Sequence, residues 1–385
     1  MKLTTTFDDI RRPLLLCMKD GMCIYGDWPE SYPLCPIYNR HSIYTSSAAG
    51  LISLLRALSD NWVGYTSTAA EFAYECTLCG VCDMCELIPV PSPHTSPTEL
   101  IRFLRSQLVK QGLIPERLIE LYKQVKEHGD YLGETVNLPE KIRDDSAKSV
   151  FFADCIHSKG QRQIYDSAVR LLEKIGGSMA IFGHGGCCGS TLYDVGFWDE
   201  LNKLVTQRAK EVKSLKGKEI IFVNPHCQEF MLKRFRDFAP EAPKITGKHF
   251  SEFLSDAFKD GKLKARQGKH IKVSYHDPCY LGRALGIYEA PREVLSFLGG
   301  VELIEMKRNR GNAYCCGSGG GGKGEAFPVF STWVAKERFD EFKETGADLL
   351  ITCCPYCKEA FLRVLPKNAM GKVKDLIEFV DERTS

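Results

Sequence analysis

Apolar residues recur at helical spacing in the first third of the chain. The segments SAAGLISLLRALSDN, residues 47–61, and SPTELIRFLRSQLVKQG, residues 96–112, place aliphatic side chains three and four positions apart. This is the period of a helix with one buried face. The second segment starts with Ser-Pro and has Glu99 in its first turn, as helix starts often do. The pattern predicts a mainly helical region that ends at about residue 145.

The pattern changes at AKSVFFADC, residues 147–155. Short runs rich in β-branched and aromatic residues, such as 150–153 and 219–223, alternate with helical segments such as QIYDSAVRLLEKIGG. This alternation is typical of a layered, mostly parallel sheet. The same order recurs from HIKVSYHDPCYLG through VELIEM to DLLITCCPYC. We therefore predict an α+β multidomain protein with a helical domain at 1–145 and two copies of an α/β domain at 146–265 and 266–385.

Cysteines repeat in step with the two α/β copies. In the first copy a cysteine ends a strand, a Cys-Cys-Gly follows, and one more cysteine closes the copy: Cys155, Cys187, Cys188 and Cys227. The second copy has one thiol more, with Cys279, Cys315, Cys316, Cys354 and Cys357. Asn224 stands where a C-x-x-C pair would begin in the first copy. Open α/β sheets gather ligands at their strand ends, so each copy is predicted to bring its cysteines to one edge.

The chain has 17 cysteines among 385 residues, mostly in close groups. Adjacent and C-x-x-C thiols in an intracellular chain indicate metal binding or redox chemistry, whereas scattered pairs indicate disulfides. The formal net charge of +2 favours neither nucleic acid nor an acidic membrane surface as a partner. The sequence has no run of about 18 apolar residues, so no transmembrane segment is predicted. The start MKLTTTFDDIRRPLLLCMKD does not resemble a signal peptide. These features predict a cytoplasmic metalloprotein.

The motif CTLCGVCDMC is close to the C-x₂-C-x₂-C-x₃-C run of two-cluster ferredoxins, in which the fourth cysteine serves the other cluster. The upstream stretch CMKDGMCIYGDWPESYPLCP fits the partner group if Asp20 takes a ligand position. Because a carboxylate is a harder ligand than thiolate, that cluster is expected to have a labile iron or to be a [3Fe-4S] cluster. The two predicted [4Fe-4S] ligand sets are Cys35, Cys76, Cys79 and Cys82, and Cys17, Asp20, Cys23 and Cys85.

Structural zinc is the alternative for these thiols. Overlapping C-x₂-C spacing in one short run suits a cubane better than a tetrahedral finger assembled from two separated pairs. In the first α/β copy zinc competes more strongly, because four thiolates match its coordination number. His184, His226 and His276 lie beside cysteines and could ligate metal or donate protons, although a lone histidine is more often structural.

The stretch NAYCCGSGGGGKGEAF, residues 312–327, resembles a phosphate-binding loop in its second half, where two glycines and Lys323 fall in the G-x-x-x-x-G-K frame. A phosphate loop needs Ser or Thr after its lysine and a strand before its glycines. Here Gly324 follows the lysine, and KRNRGNAYCC precedes the glycines. The glycines are instead predicted to let the backbone approach a cluster held by the adjacent cysteines. A flexible loop with inert thiols is the remaining alternative.

The C…CCG…C-x-x-C repeat, complete in the second copy, resembles the CCG domain of heterodisulfide reductases. Two such domains after a two-cluster ferredoxin module resemble the D-type catalytic subunit of these enzymes, and the resemblance covers nearly the whole chain. Similar arrangements occur in iron–sulfur subunits of glycolate and glycerol-3-phosphate oxidation, and in electron-bifurcating assemblies such as the class II benzoyl-CoA reductase complex. The chain departs from the family pattern at Asp20 and in the first copy, which lacks one thiol.

The resemblance implies a noncubane [4Fe-4S] cluster at the five cysteines of the second copy, with a disulfide substrate cleaved there. We predict an iron–sulfur subunit of an anaerobic oxidoreductase complex, in which two cubanes pass electrons to this site and the first copy holds zinc or a further cluster. Flavin-containing and other iron–sulfur subunits are the expected partners. The alternative is a noncatalytic relay in a larger bifurcating or 2-hydroxy acid oxidising complex. Open access from solvent would favour the enzyme, and cover by a neighbouring subunit would favour the relay.

Overall fold

The described part of the chain is a helical region followed by two α/β units. The computed structural model describes residues 6–19, 21–25, 32–85, 95–128, 144, 146–155, 161–176, 179–183, 186–215, 217–321 and 323–385. Asp20, His184 and Gly322 lie outside these residues, and only the backbone of Lys323 is described. Within these ranges, no helix has both the length and the apolar character needed to span a membrane.

Helices make up the regular structure of the N-terminal region. The two segments with helical spacing are both helices, and Ser47 starts the first by accepting a hydrogen bond from the N–H of Gly50 at 3.3 Å. The helices are α1 (Phe7–Leu16), α2 (Met22–Tyr25), α3 (Pro36–His41), α4 (Ala48–Ser59), α5 (Ser67–Glu75), α6 (Pro97–Lys110) and α7 (Glu116–His128).

The first α/β unit contains a parallel sheet of four strands in the order β2-β1-β3-β4. Helices connect the strands, as a parallel sheet requires. The elements are β1 (Ser149–Phe152), α8 (Arg162–Ile175), β2 (Ala180–Phe182), α9 (Ser190–Val195), α10 (Trp198–Ser214), β3 (Glu219–Phe222), α11 (Pro225–Lys233), α12 (Phe235–Phe238), β4 (Thr246–His249) and α13 (Phe250–Lys259).

The second α/β unit repeats this topology, with a parallel sheet in the order β6-β5-β7-β8. The predicted duplication is therefore confirmed at the level of the sheets. The elements are β5 (Ile271–His276), a π-helical turn (Tyr280–Ala284), α14 (Glu289–Phe297), β6 (Val301–Leu303), α15 (Lys323–Ala326), α16 (Pro328–Glu344), β7 (Leu349–Thr352), α17 (Pro355–Val364), β8 (Val373–Asp375) and α18 (Leu376–Glu382).

The two units pack together by reciprocal helix pairs. Helix α8 contacts α18, and α13 contacts α14. Helices α8 and α14 follow the first strand of their units, and helices α13 and α18 follow the last strand. Each contact therefore pairs the first helix of one unit with the last helix of the other, as in a two-fold symmetric dimer. Phe151 and Tyr275, one from each sheet, lie in the core between the units.

Alternate strand residues enter a second core on the opposite face of the sheets. Phe152, Phe222 and Leu350 directly follow residues that lie in the core between the units. These three side chains instead pack with the helical region and with most of the cysteines. Side chains of a strand point to opposite faces in turn. The same alternation therefore joins the units on one face and supports the cysteine sites on the other.

The last strand of the first unit ends in a buried histidine that gives a pH-dependent stability. His249 is the N-cap of α13, and its two ring nitrogens contact Ser251 and the carbonyl oxygen of Val223. Burial lowers the pKa of His249 from 6.5 to about 4. Above pH 6.5 the ring is neutral in folded and unfolded chains alike. As the pH falls from 6.5 towards 4, only the unfolded chain takes up the proton, so stability is lost in this window.

We expect His249 to lower the free energy of unfolding by about 1.4 kcal/mol for each pH unit by which the pH falls within that window. The thermal midpoint of wild-type protein should fall between pH 7.5 and pH 5.5 by more than that of His249→Asn, because asparagine can cap the helix but does not titrate. Parallel pH profiles of the two proteins in thermal unfolding would contradict this assignment.

Candidate iron–sulfur site

Five thiols of the second unit meet where its strands end. Cys279 follows β5 at the start of the π-helical turn, and Cys354 is the N-cap of α17, after β7. Because β5 and β7 are parallel neighbours, their carboxyl ends lie at one edge of the sheet. The five thiols are buried and form a chain of side-chain hydrogen bonds in the order Cys279, Cys315, Cys316, Cys357 and Cys354.

These hydrogen bonds favour thiolates at two of the five positions. The hydrogen bond with Cys315, followed by burial, raises the pKa of Cys279 well above its ordinary value. Hydrogen bonds with Cys315 and Cys357 lower the pKa of Cys316 well below it. Burial would raise the pKa of Cys354, but hydrogen bonds with Cys357 and with a histidine of the first unit lower it to about 5. Since metals bind the thiolate, this donor set fits an iron–sulfur cluster.

A glycine after each Cys-Cys pair holds a backbone N–H against a thiol. Gly189 and Gly317 have φ angles of 108° and 80°, in the region that favours glycine. Their N–H groups donate to Sγ of Cys187 and Cys315, at 3.3 Å in both units. Hydrogen bonds to sulfur are among the interactions that set the potential of a cluster. The Cys-Cys-Gly sequence therefore forms the same local structure in both copies.

Four thiols meet at the corresponding edge of the first unit. The Sγ atoms of Cys188 and Cys227 lie 3.2 Å apart, and Cys187 is hydrogen-bonded to Cys155. Burial, followed by the hydrogen bond with Cys187, raises the pKa of Cys188 to about 12. The structure thus brings together all four cysteines that the repeat predicted as metal ligands in this copy, and four thiolates suit zinc as well as iron.

Asn224 occupies the position of the missing fifth thiol. Its Oδ1 accepts a hydrogen bond from the N–H of His226 at 3.0 Å, which makes Asn224 the N-cap of α11. Asparagine is a preferred N-cap residue. At the equivalent position of the second unit, the side chain of Cys354 does not cap its helix and contacts the other thiols instead. The first unit therefore stabilises a helix where the second presents a thiol.

The seven cysteines of the helical region are linked by their electrostatic interactions. Cys17 and Cys85 act on Cys23, whose pKa is raised to about 11, mainly by burial, and Cys76, Cys79 and Cys23 itself act on both Cys35 and Cys82. Because Cys23 interacts with members of both predicted cubane sets, the division into two sets stays a prediction, and Asp20 lies outside the described residues.

Cys79 joins the helical region to the second unit. The hydrogen bond with Cys315, followed by burial, raises the pKa of the Cys79 thiol well above its ordinary value. Arg283 donates to the carbonyl oxygen of Cys79 at 2.7 Å and to those of Gly311 and Ala313 at 2.9 and 2.8 Å. The arginine thus holds both cysteine loops in place, and two candidate sites touch through one pair of thiols.

The glycine run at 319–321 packs against segments of the other units. A Cβ atom on Gly319 would lie 2.6 Å from Cε1 of His226, and one on Gly320 would lie 2.4 Å from the carbonyl oxygen of Thr77. These contacts are enough to explain why the positions are glycine. The close approach of this backbone to a cluster stays a prediction. The described residues from 304 to the glycines contain no strand, so the strand that a phosphate loop requires is missing.

We expect Gly320→Ala to weaken the junction between the helical region and the second unit. Its φ is 68°, which costs an L-residue about 1–2 kcal/mol, and the clash with the backbone of Thr77 adds about 1–3 kcal/mol. Gly261→Ala is the matched control, because φ there is 69° and the added Cβ meets nothing within 4 Å. The thermal midpoint should fall clearly further for Gly320→Ala, and equal shifts would show that the Thr77 contact is unimportant.

His226 extends from the first unit to the thiols of the second. Its buried ring stacks on Tyr280 with ring centroids 3.6 Å apart and meets the ring of Tyr356 edge-on at 4.7 Å. Its side chain is hydrogen-bonded to Cys354. His226 was considered as a possible metal ligand or proton donor because it adjoins Cys227 in the sequence. Its partner thiol, however, belongs to the other copy. Sequence adjacency could not have shown that contact.

Two buried arginines of α6 connect the three parts of the molecule. Arg102 donates to Glu99 of its own helix at 2.5 Å, to Asp194 of the first unit at 2.7 Å and to Tyr280 of the second at 2.9 Å. Arg105 donates to carbonyl oxygens of all three parts, those of Ala73, Cys76, Asp194 and Gly320. The sequence gives no signal for these roles, because both arginines lie in an ordinary amphipathic helix.

A cavity of about 200 Å³ reaches two of the candidate ligands, Cys79 and Cys279. It lies where the three parts meet, and its wall carries both basic and acidic side chains. Lys233 is exposed and also lines the cavity, so the cavity extends to the surface. The other lining residues are Leu78, Gly80, Asp83, Ser96, Thr98, Glu99, Arg102, Glu229, Arg234, Tyr280, Arg283 and Ala284.

Comparison with known proteins identifies the repeated unit. The family model CCG, described as a cysteine-rich domain, matches residues 149–232 and 273–361. The D subunit of the heterodisulfide reductase of Methanosarcina mazei is 31% identical over 327 residues, which cover 80% of this chain and 76% of that protein. The B subunit of the CoM/CoB fumarate reductase of Methanothermobacter marburgensis is 28% identical, over 81% of this chain and 61% of that protein.

A third relative shows the breadth of the family. The EtfAB:quinone oxidoreductase of Syntrophomonas wolfei is 27% identical over 76% of this chain and 43% of that protein. The matched segments contain both thiol groups of the α/β units. The chain therefore belongs to the CCG-domain family of iron–sulfur oxidoreductase subunits that includes the D subunit of heterodisulfide reductases.

Proposed function

We propose that this chain is the disulfide-reducing iron–sulfur subunit of a larger redox complex. The observation that carries the proposal is the cavity that reaches Cys79 and Cys279 together. It gives solvent access to a thiol of the second unit beside a thiol of the helical region. In this proposal residues 1–145 form a ferredoxin-like dicluster domain, and 146–265 and 266–385 are the two CCG domains.

The proposed ligands follow the cysteine pattern of the sequence. Cys35, Cys76, Cys79 and Cys82 hold one cubane, and Cys17, Cys23 and Cys85, with Asp20, hold the other. The five thiols of the second unit hold the noncubane cluster, and the four of the first unit hold zinc or a further cluster. When bound, the clusters supply single-electron transfer. The contact of Cys79 with Cys315 supports a path from the cubanes to the second unit.

The reaction breaks one S–S bond of the substrate. Each sulfur takes up one electron and one proton, and two thiols leave; a partner redox subunit supplies the two electrons and solvent the two protons. The side chains of the cavity bind and orient the disulfide. The acidic residues Glu99 and Glu229 of the cavity wall are paired with Arg102 and Arg234. Lys233 and Arg283 add further positive charge to this wall, which favours a disulfide with anionic groups. Relatives named as subunits of heterodisulfide and fumarate reductases support redox subunits as partners.

The test is dye-linked disulfide reduction by the anaerobically purified, iron-loaded chain. Oxidised glutathione should be reduced faster than the uncharged 2-hydroxyethyl disulfide. Lys233→Gln should raise KM for the anionic substrate by about tenfold with little change in kcat, because the lysine binds the substrate without reaching its sulfurs. Lys262→Gln, at an exposed lysine outside the cavity, is the control. Loaded protein that reduces neither disulfide would contradict the enzymatic proposal.

A noncatalytic relay is the second candidate, and the size of the cavity favours it. At about 200 Å³ the cavity is smaller than the roughly 300–1,000 Å³ typical of ligand pockets. In this case the chain would pass electrons between partner subunits of a bifurcating or 2-hydroxy acid oxidising complex. Reoxidation of the reduced clusters by a partner subunit, without any disulfide reduction, would distinguish the relay from the enzyme.

A further inference from the structure

A second histidine lies directly against the five-thiol site. One ring nitrogen of His276 and the Sγ atoms of Cys316 and Cys357 all lie within 4.8 Å of one another. His276 is the last residue of β5 and is 1% exposed, and its ring packs edge-on against Phe361. Histidine with two thiolates could form a metal site or a hydrogen-bonded group, and the neighbours of the ring decide between them.

A buried arginine determines which ring nitrogen carries the proton. The Nε–H of Arg338 donates to Nδ1 of His276 at 3.1 Å. Arginine has only donors, so Nδ1 must be the acceptor and the ring proton is on Nε2. Arg338 is fully buried and is held by Glu341 through a 2.7 Å ion pair. The protonated nitrogen is therefore fixed by two further side chains of α16.

The Nε2 atom of His276 is buried and has no protein partner among the described residues. Leaving such a donor unsatisfied costs about 1–3 kcal/mol, so an acceptor is expected beside it. Because Nδ1 is occupied by Arg338, Nε2 is the nitrogen that remains for the thiols. A protonated nitrogen can donate to sulfur, but it cannot ligate iron.

The first unit lacks this arrangement. Counting back three residues from the strand-end cysteine leads to His276 in the second unit and to Phe152 in the first. Phe152 lies in an apolar environment with Phe182 and Phe222. Burying a histidine, an arginine and a glutamate is costly unless they are paired. The unit with five thiols has the buried side chains of His276, Arg338 and Glu341. The unit with four thiols has the aromatic side chain of Phe152 at the position of the histidine.

We propose that, when the second-unit cluster is bound, Nε2–H of His276 donates a hydrogen bond to its Cys316 and Cys357 sulfurs, and that Arg338 fixes the tautomer for this purpose. The inference rests on the proposed cluster at this site. His276 is a positioning residue in this scheme. Hydrogen bonds to the sulfurs stabilise the more negative, reduced state and raise the reduction potential of a cluster. His276 should therefore make this cluster easier to reduce.

The first test uses wild-type protein labelled with ¹⁵N-histidine and electron–nuclear double resonance on the EPR signal that Cys316→Ser removes. A weak histidine coupling is expected, and because His226 is hydrogen-bonded to Cys354 the part that belongs to His276 is the part that His276→Phe removes. A strong coupling typical of iron-bound nitrogen would overturn the proposal, as would no coupling at all. Absence of the EPR signal itself from wild-type protein would instead refute the proposed cluster, so the two failures are distinguishable.

The second test is an anaerobic redox titration of His276→Phe, which copies the first unit, and of the smaller change His276→Gln. In His276→Phe the potential should shift to more negative values at unchanged iron and sulfide content, with the His276 part of the nitrogen coupling lost. His276→Gln, whose amide can still donate, should shift less. His270→Phe, at an exposed histidine just before β5, is the control and should leave the potential unchanged. An unchanged potential in His276→Phe, or loss of iron from it, would overturn the proposal.

Discussion

Cys316→Ser should remove the iron of one cluster, about four atoms per chain, together with one EPR signal and all disulfide reduction. Cys316 is in the middle of the five-thiol chain, between Cys315 and Cys357, and those hydrogen bonds lower the pKa of Cys316 well below its ordinary value. Serine retains the size of the side chain but is a poor ligand for cluster iron. Anaerobic iron and sulfide analysis with EPR would measure the loss.

The matched control is the neighbouring Cys353→Ser. Cys353 is 2% exposed and directly precedes Cys354, but it lies in the core on the other face of the sheet. Tyr275, which belongs to the same core, is the side chain that its thiol approaches there. Cys353→Ser should retain its full iron content and its EPR signals. Equal iron loss in Cys316→Ser and Cys353→Ser would show that the loss reflects damage to the fold.

The first unit provides a second comparison. Cys188→Ser should release whatever metal the first unit holds, or destabilise that unit, while the EPR signal of the second unit persists. The reason is that Cys188 contacts Cys187 and Cys227 of its own copy. Loss of one shared signal in both Cys188→Ser and Cys316→Ser would contradict two separate sites.

Arg102→Met should cost about 3–5 kcal/mol in the free energy of unfolding. The substitution keeps an apolar stem of similar length but leaves Glu99 and Asp194, both buried, without their main cation. Removing one partner of a buried ion pair carries a cost of this size. Because Tyr280 also loses its donor, the three parts of the molecule should separate more easily. Denaturant unfolding under anaerobic conditions would measure the change.

Arg117→Met is the control for this prediction. Arg117 forms an ion pair with Glu120 at the same three-residue spacing, at 2.7 Å, but both side chains are at least half exposed. Exposed pairs contribute about 0–1 kcal/mol. Burial is thus the main difference between the two arginines. If both variants lost the same stability, the ion pairs at the junction would not stabilise it.

The sequence predicted much of the fold for identifiable reasons. The runs at 150–153 and 219–223 became β1 and β3, because short β-rich runs between helical segments are a local signal. The Cys-Cys-Gly pairs showed the duplication, which the two equal strand orders confirm. The role of Asn224 was harder to predict. Its replacement of a cysteine was visible, but its use as a helix cap became clear only from the hydrogen bond to His226.

By itself the sequence determined the family, the two parallel α/β copies and the cysteines that could group, because hydrophobic period and motif spacing act over short stretches of chain. Only the tertiary structure decided which groups meet. Cys79 contacts Cys315, and His226 contacts Cys354 of the other copy. These contacts depend on how helices and sheet faces distant in sequence bury their apolar surfaces together, and on buried arginines such as Arg102 that satisfy the polar groups left between them.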